Sequence, residues 1–153
     1  MIIASDEQMK RLGQMLGQAM QGGEVLELIG DVGAGKTTLT KGLAAGLGIT
    51  EPVQSPTFTI SRVYQSPRGL TLAHYDFYRL QEAGIMADEI SEVMLRGDTV
   101  TVIEWAGTVN EALPADRLTV TIRTTSEDER EVMMAAGGPK SRMFLAAVQE
   151  KVA

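Results

Sequence analysis

Apolar residues recur along the chain with two periods, and the switches between them divide it into elements. Met9, Leu12, Leu16 and Ala19 follow one another at helical intervals behind Ser5 and Gln8, a pair spaced as a capping box, until Gly22 and Gly23 end the run. This pattern predicts a first helix. Glu24 to Gly30 (EVLELIG) is a short apolar run bounded by glycines, which predicts a strand, and a second helix is expected from Thr37 to about Gly48. Residues 48–59 (GITEPVQSPTFT) hold two prolines and several turn formers and read as a surface loop. Thr57 to Gln65 and Leu70 to Asp76 read as strands on either side of Ser66-Pro67-Arg68-Gly69, the turn chemistry of an antiparallel hairpin.

Beyond the hairpin, Ile90, Val93 and Met94 share one face of a helix expected over Ala87 to Leu95. Gly97 and Asp98 end it before a strand, Thr99 to Glu104 (TVTVIE). Further strands are predicted at Leu118 to Thr124 and, more weakly, at Arg130 to Ala136 after the acidic turn SEDE. Gly137-Gly138-Pro139 then opens a last amphipathic helix. A strand, a glycine-rich loop, a helix and later strands imply an α/β fold. The expected sheet is mixed and mostly parallel, with a β-hairpin insertion and flanking helices, all within one domain over residues 1–153.

Composition narrows the chemistry. The formal charge of -6 disfavours a sequence-independent grip on phosphate backbones by this chain alone, so any nucleic acid is expected to be held by a partner. Without cysteine there are no disulfides, thiolate nucleophiles or sulfur-ligated zinc, and a single histidine, His74, cannot form a histidine metal cluster. The first residues turn polar after Ile3 and no run approaches membrane-spanning length, so a cytoplasmic location and no membrane partner are expected.

Gly30, Gly35, Lys36 and Thr37 within GDVGAGKT satisfy G-x-x-x-x-G-K-[ST], between a predicted strand and a predicted helix. Glycines let successive amides face a phosphate, and the helix adds its partial positive end. In such a loop Lys36 would reach the β and γ phosphates and the Thr37 hydroxyl would face magnesium. A second acid is then needed at a strand end, and two stand available. Glu104 closes a mostly apolar run, while Asp76 closes a more alternating one, LTLAHYD. Trp105 reads as core at least as readily as a ligand or partner contact. His74 receives no role, because no nucleophile motif lies beside it, and the scattered methionines, Met86 and Met94 among them, read as core.

Four pieces in order, GDVGAGKTT, SPTF (Ser55 to Phe58), HYDFYRL (His74 to Leu80) and VIEW (Val102 to Trp105), resemble the TsaE family, a small bacterial P-loop ATPase of tRNA threonylcarbamoyladenosine synthesis. The resemblance spans nearly the entire chain. It implies that ATP is held by Gly33, Ala34, Gly35, Lys36, Thr37 and Thr38, with Mg2+ at Thr37 and Glu104. It implies a catalytic set of Asp76, Glu104 and Lys36, with Asp76 and a loosely aligned Arg130 also near the nucleotide. Ser55 and Thr57 would belong to a switch-like loop sensing the γ phosphate, Trp105 would take a functional or interface role, and the adenine would lie near Ser5 to Gln8. The implied partners are the TsaD and TsaB proteins. They would install the modification on the adenosine following the anticodon, with tRNA reached through that complex and no DNA involved.

Rival readings are a small-molecule kinase, a GTPase and a nucleotide-bound subunit without turnover. No arginine-rich lid segment supports the first, and no Asn-Lys-x-Asp or D-x-x-G motif supports the second. The third differs from an ATPase only in whether the acids work. The partner surface is expected on the face carrying the hairpin and Trp105.

Overall fold

The computed structural model describes residues 1–31, 33–54, 61–78 and 84–152. Ser5 starts the first helix, α1 (Asp6–Ala19), by accepting a hydrogen bond from the Gln8 amide at 3.1 Å. The reciprocal bond of the expected capping box is displaced by one residue, since the Gln8 side chain accepts from the Ala4 amide rather than from that of Ser5. Met9, Leu12 and Leu16 point inward, as their spacing requires.

Seven strands among the described residues form one sheet: β1 (Ile2–Ile3), β2 (Val25–Ile29), β3 (Ser61–Gln65), β4 (Thr71–Asp76), β5 (Thr99–Glu104), β6 (Leu118–Thr124) and β7 (Arg130–Ala136). Their order across the sheet is β1-β7-β6-β2-β5-β4-β3. The four central strands, β6, β2, β5 and β4, are parallel, and the antiparallel strands lie at the two sides. The expected hairpin is β3 with β4. Residues 57–60 of its first expected strand lie outside the described residues.

The fold class matches the expectation, with local differences that have physical reasons. The two-residue β1 is too short to leave a periodicity in sequence. β4 does not alternate between core and solvent, because residues 72–76 are all buried between β3 and β5. Ala73 and Tyr75 read as core, but His74 and Asp76 disguise a strand covered on both faces. The helix after the hairpin, α3 (Gly84–Met94), starts three residues earlier than its apolar face suggested. A 3₁₀ helix, Ala106–Ala112, was not expected, since three-residue turns carry no long apolar period.

The helix after the glycine-rich loop, α2 (Lys36–Gly46), lies against α1 on one face of the sheet together with α4 (Pro139–Val152). α3 and the 3₁₀ helix cover the other face, around Ile90, Ile103 and Val109. α1 and α2 meet backbone to backbone: a Cβ on Gly13 would sit 2.2 Å from the Leu39 carbonyl oxygen, and one on Gly42 would sit 2.1 Å from that of Lys10. Any side chain at either position would force the helices apart. Among the described residues no helix is long and apolar enough to cross a membrane.

Candidate functional site

The carboxyl ends of the parallel strands converge on the start of α2, the usual place for a ligand crevice in an open α/β sheet. Leu28 of β2 and Asp76 of β4 both stand in register with Glu104 of β5. From β2 the chain enters the glycine-rich loop, where Gly33 and Gly35 take positive φ of 83° and 112°. Gly35 is the N-cap of α2 and offers no side-chain acceptor, so the first amides of α2 are left for an anion. The conformation suits glycine alone, and a Cβ on Gly35 would also press on Met9.

Above this loop opens a cleft of about 700 Å³, within the size range of small-molecule sites. Its floor is the loop from Gly33 to Thr38. The cleft is also lined by Asp76, Tyr78, Glu104 and Trp105, by Ala4, Ser5, Asp6 and Met9, and by Glu127, Asp128 and Arg130. The structure therefore brings Gly33, Ala34, Gly35, Lys36, Thr37, Thr38, Asp76, Glu104, Trp105 and Arg130 to one cleft. Ser55 and Thr57 lie outside the described residues.

Lys36 is the centre of the charge arrangement. Its side chain is almost fully buried, with Nζ 3.9 Å from Glu104 Oε1 and 3.8 Å from the centroid of the Trp105 ring. Burial pushes the ammonium below the usual lysine range, while the carboxylates of Glu104, Asp76 and Asp31 pull it partly back. Trp105 is the one non-glycine residue with positive φ among those described, at 57°, where β5 ends and the 3₁₀ helix begins. Its ring meets that of Tyr78 at 4.9 Å, so a tryptophan whose spacing left core and contact both open joins the cleft lining. Such a left-handed backbone is uncommon for a bulky residue and here accompanies a cleft.

Arg130 is committed to backbone. Its Nε donates to the Ala34 carbonyl at 3.2 Å, and its Nη1 donates to the carbonyls of Ser126, Glu127 and Glu129. It thus clamps the acidic turn to the glycine-rich loop. Asp76 accepts from the Tyr78 amide at 3.0 Å and fixes the chain as it leaves β4. Among the described residues that line the cleft, the acids Asp6, Asp76, Glu104, Glu127 and Asp128 accompany the bases Lys36 and Arg130. Carboxylates beside an uncapped helix start suit an anion accompanied by a hard cation.

Sequence reasoning missed His74, whose Nε2 lies 2.6 Å from Glu104 Oε2 inside the protein. A signal existed: His74 and Asp76 are two apart on a strand and so share a face. Glu127 and Asp128 were read only as a turn, because nothing local ties residues 126–129 to a loop almost a hundred residues earlier.

Known proteins share this architecture. Residues 3–132 match the family described as threonylcarbamoyl adenosine biosynthesis protein TsaE. The tRNA threonylcarbamoyladenosine biosynthesis protein TsaE of Bacillus subtilis is 41% identical over 138 residues, covering 90% of this chain and 85% of that one. Its counterpart in Treponema pallidum is 40% identical, with 82% of this chain and 91% of that one covered. Among solved structures, that of Bacillus subtilis YdiB superposes with a TM-score of 0.83 at 35% identity, covering 100% of this chain and 95% of its own. With most of its length matched to the family and to relatives of this identity, the chain belongs to the TsaE family of threonylcarbamoyl adenosine biosynthesis proteins.

Proposed function

We propose that this chain binds ATP with Mg2+ in the cleft, hydrolyses it, and through that cycle acts as a nucleotide switch on TsaD and TsaB during threonylcarbamoyl modification of tRNA. The observation that carries the reading is Lys36 at the mouth of an uncapped helix, held between an aromatic ring and Glu104, with Asp76 in register beside it. A lysine whose ammonium is disfavoured by burial gains from an arriving phosphate, whose oxygens replace solvation that water no longer provides.

The residues fit the implied groups. The amides of residues 33–38 and Lys36 would hold the triphosphate, and Thr37 and Glu104 would hold magnesium, whose taste is for oxygen. Among the described residues no cluster of three or more histidine or acidic side chains encloses a metal site, so phosphate oxygens and water would complete the shell. Bound magnesium would supply charge neutralisation at the phosphates. Lys36 would trade the ring face for phosphate oxygens, and Asp76 or Glu104 would orient the attacking water and take its proton. The Ser5 side of the cleft remains for the adenosine. Residues 55–60 connect Gln54 to the edge strand β3, and that position in the chain supports a switch that alters the hairpin surface offered to a partner.

Reconstitution with TsaD, TsaB and tRNA tests this directly. Modified nucleoside should form only with this chain and ATP present, and modification at an equal rate without the chain would refute the role. In the same assay Glu104→Ala and Asp76→Ala should retain ATP binding while hydrolysis falls roughly 100-fold or more. Undiminished turnover in both variants would remove the assignment of the acids.

A further inference from the structure

Glu104 has a task in the proposed site, but the histidine bonded to it has none. His74 and Asp76 lie two apart on β4 and share the face of the sheet on which β5 presents Glu104. The His74 ring is fully buried, with Nε2 at 2.6 Å from Glu104 Oε2. Among the described residues its Nδ1 has no hydrogen-bonding partner. An apolar side chain would fill the same space without stranding a polar atom, which is costly in a protein interior. What the ring adds over leucine is the contact at Nε2.

A carboxylate has two oxygens, and this contact divides their work. Oε2 is engaged inside the protein, while Oε1 is the one turned to Lys36, 3.9 Å away. We propose that His74 is a positioning residue that locks Glu104 by Oε2 and so dedicates Oε1 to the cleft. Its consequence for hydrolysis rests on the ATPase reading; the lock itself does not. With its hydrogen on Nε2 the ring donates to the Glu104 carboxylate, and this tautomer leaves the unpartnered Nδ1 without a hydrogen. A carboxylate held by one oxygen has fewer orientations open to it, and such restriction by a supporting residue helps keep a reacting geometry productive.

His74 is the only histidine, so the ring-nitrogen NMR spectrum reports one residue. In the nucleotide-free protein the hydrogen should reside on Nε2, and the ring signals should shift in Glu104→Ala. A ring averaging freely between tautomers and indifferent to Glu104→Ala would overturn the lock. In turnover, His74→Leu should lower kcat roughly 10- to 100-fold with KM changed by less than about three-fold. His74→Gln, which places an amide N–H where Nε2 stands, should recover most of that loss. A folded His74→Leu protein with wild-type kcat would also overturn it. If the leucine variant does not fold, His74→Gln is compared with His74→Asn, whose shorter amide should fail to rescue. A wild-type protein without any ATP turnover would end the ATPase reading, and the ring spectrum would then decide the lock alone.

Discussion

Two clusters of buried charge lie along the same sheet, and their difference separates scaffolding from function. On β2, Glu27 accepts from Arg117 Nε at 2.9 Å, while the other guanidinium nitrogens of Arg117 donate to the Pro114 carbonyl and the Asn110 side chain. The Thr119 hydroxyl closes the group on the same Glu27 oxygen. Each charge there is answered. At the carboxyl ends of β4 and β5 the opposite holds: Lys36 stands 3.9 Å from Glu104 and leans on an aromatic face, and among the described residues the His74 ring is bonded through one nitrogen only. A satisfied ion pair is compatible with a purely structural role. An incompletely answered one raises the energy of the empty protein, and a ligand of the right charge recovers it.

This contrast predicts separable variants. Lys36→Ala should weaken ATP binding roughly 10- to 100-fold, the worth of a charge-assisted contact, while leaving the thermal midpoint of the nucleotide-free protein undiminished. Titration calorimetry and a melting curve check both halves, and a large loss of stability would make the Lys36 cluster structural after all. Arg117→Met should do the reverse. It strands Glu27 and costs about 2 kcal/mol, or a midpoint lowered by roughly 4–8 °C, with ATP affinity unchanged.

Asp116 offers the mildest comparison. It accepts from the amides of Lys140 and Ser141 and from the Ser141 hydroxyl, capping α4 from a distant loop. The bonds from Ser141, foremost its hydroxyl, hold its carboxyl below the usual carboxylate range. A depressed folded pKa means that the unfolded chain takes up the proton first. This group's stabilisation is therefore present above the unfolded pKa of 3.8 and is lost as pH falls through the folded value. Asp116→Asn should lower the urea midpoint slightly at neutral pH, flatten its decline in acid, and leave nucleotide binding untouched.

Much of the site was legible because its parts are short-range. The glycine-rich loop needs glycine at Gly33 and Gly35 for positive φ and a helix directly behind them, and both conditions are written in adjacent residues. The strands β2 and β5 announce themselves by apolar runs that both faces of the sheet demand. What stayed hidden depends on pairing across the chain. The Asp76 and Glu104 side chains become neighbours only once β4 and β5 align in parallel, and the same alignment delivers His74 to Glu104. The resemblance put Arg130 near the nucleotide; the structure sets it at the cleft, where its Nε and Nη1 donate to backbone carbonyls, a task no local pattern announces. Trp105 could not be resolved from spacing, because its ring is placed by a left-handed backbone turn that spacing does not encode.

The glycine seam between α1 and α2 has a mechanical consequence. With the two backbones in contact, the pair behaves as one strut rather than two rods that can slide past each other. At the end remote from the cleft, Arg68 of the hairpin turn donates to the carbonyls of Gly17 and Met20, and the Ser66 hydroxyl donates to that of Leu47. The hairpin is therefore bolted to the strut at its turn, while the open end of β4 delivers Asp76 beside the cleft. The first turn of α2 is thus tied through the seam to α1, and α1 in turn to the hairpin whose second strand ends at Asp76.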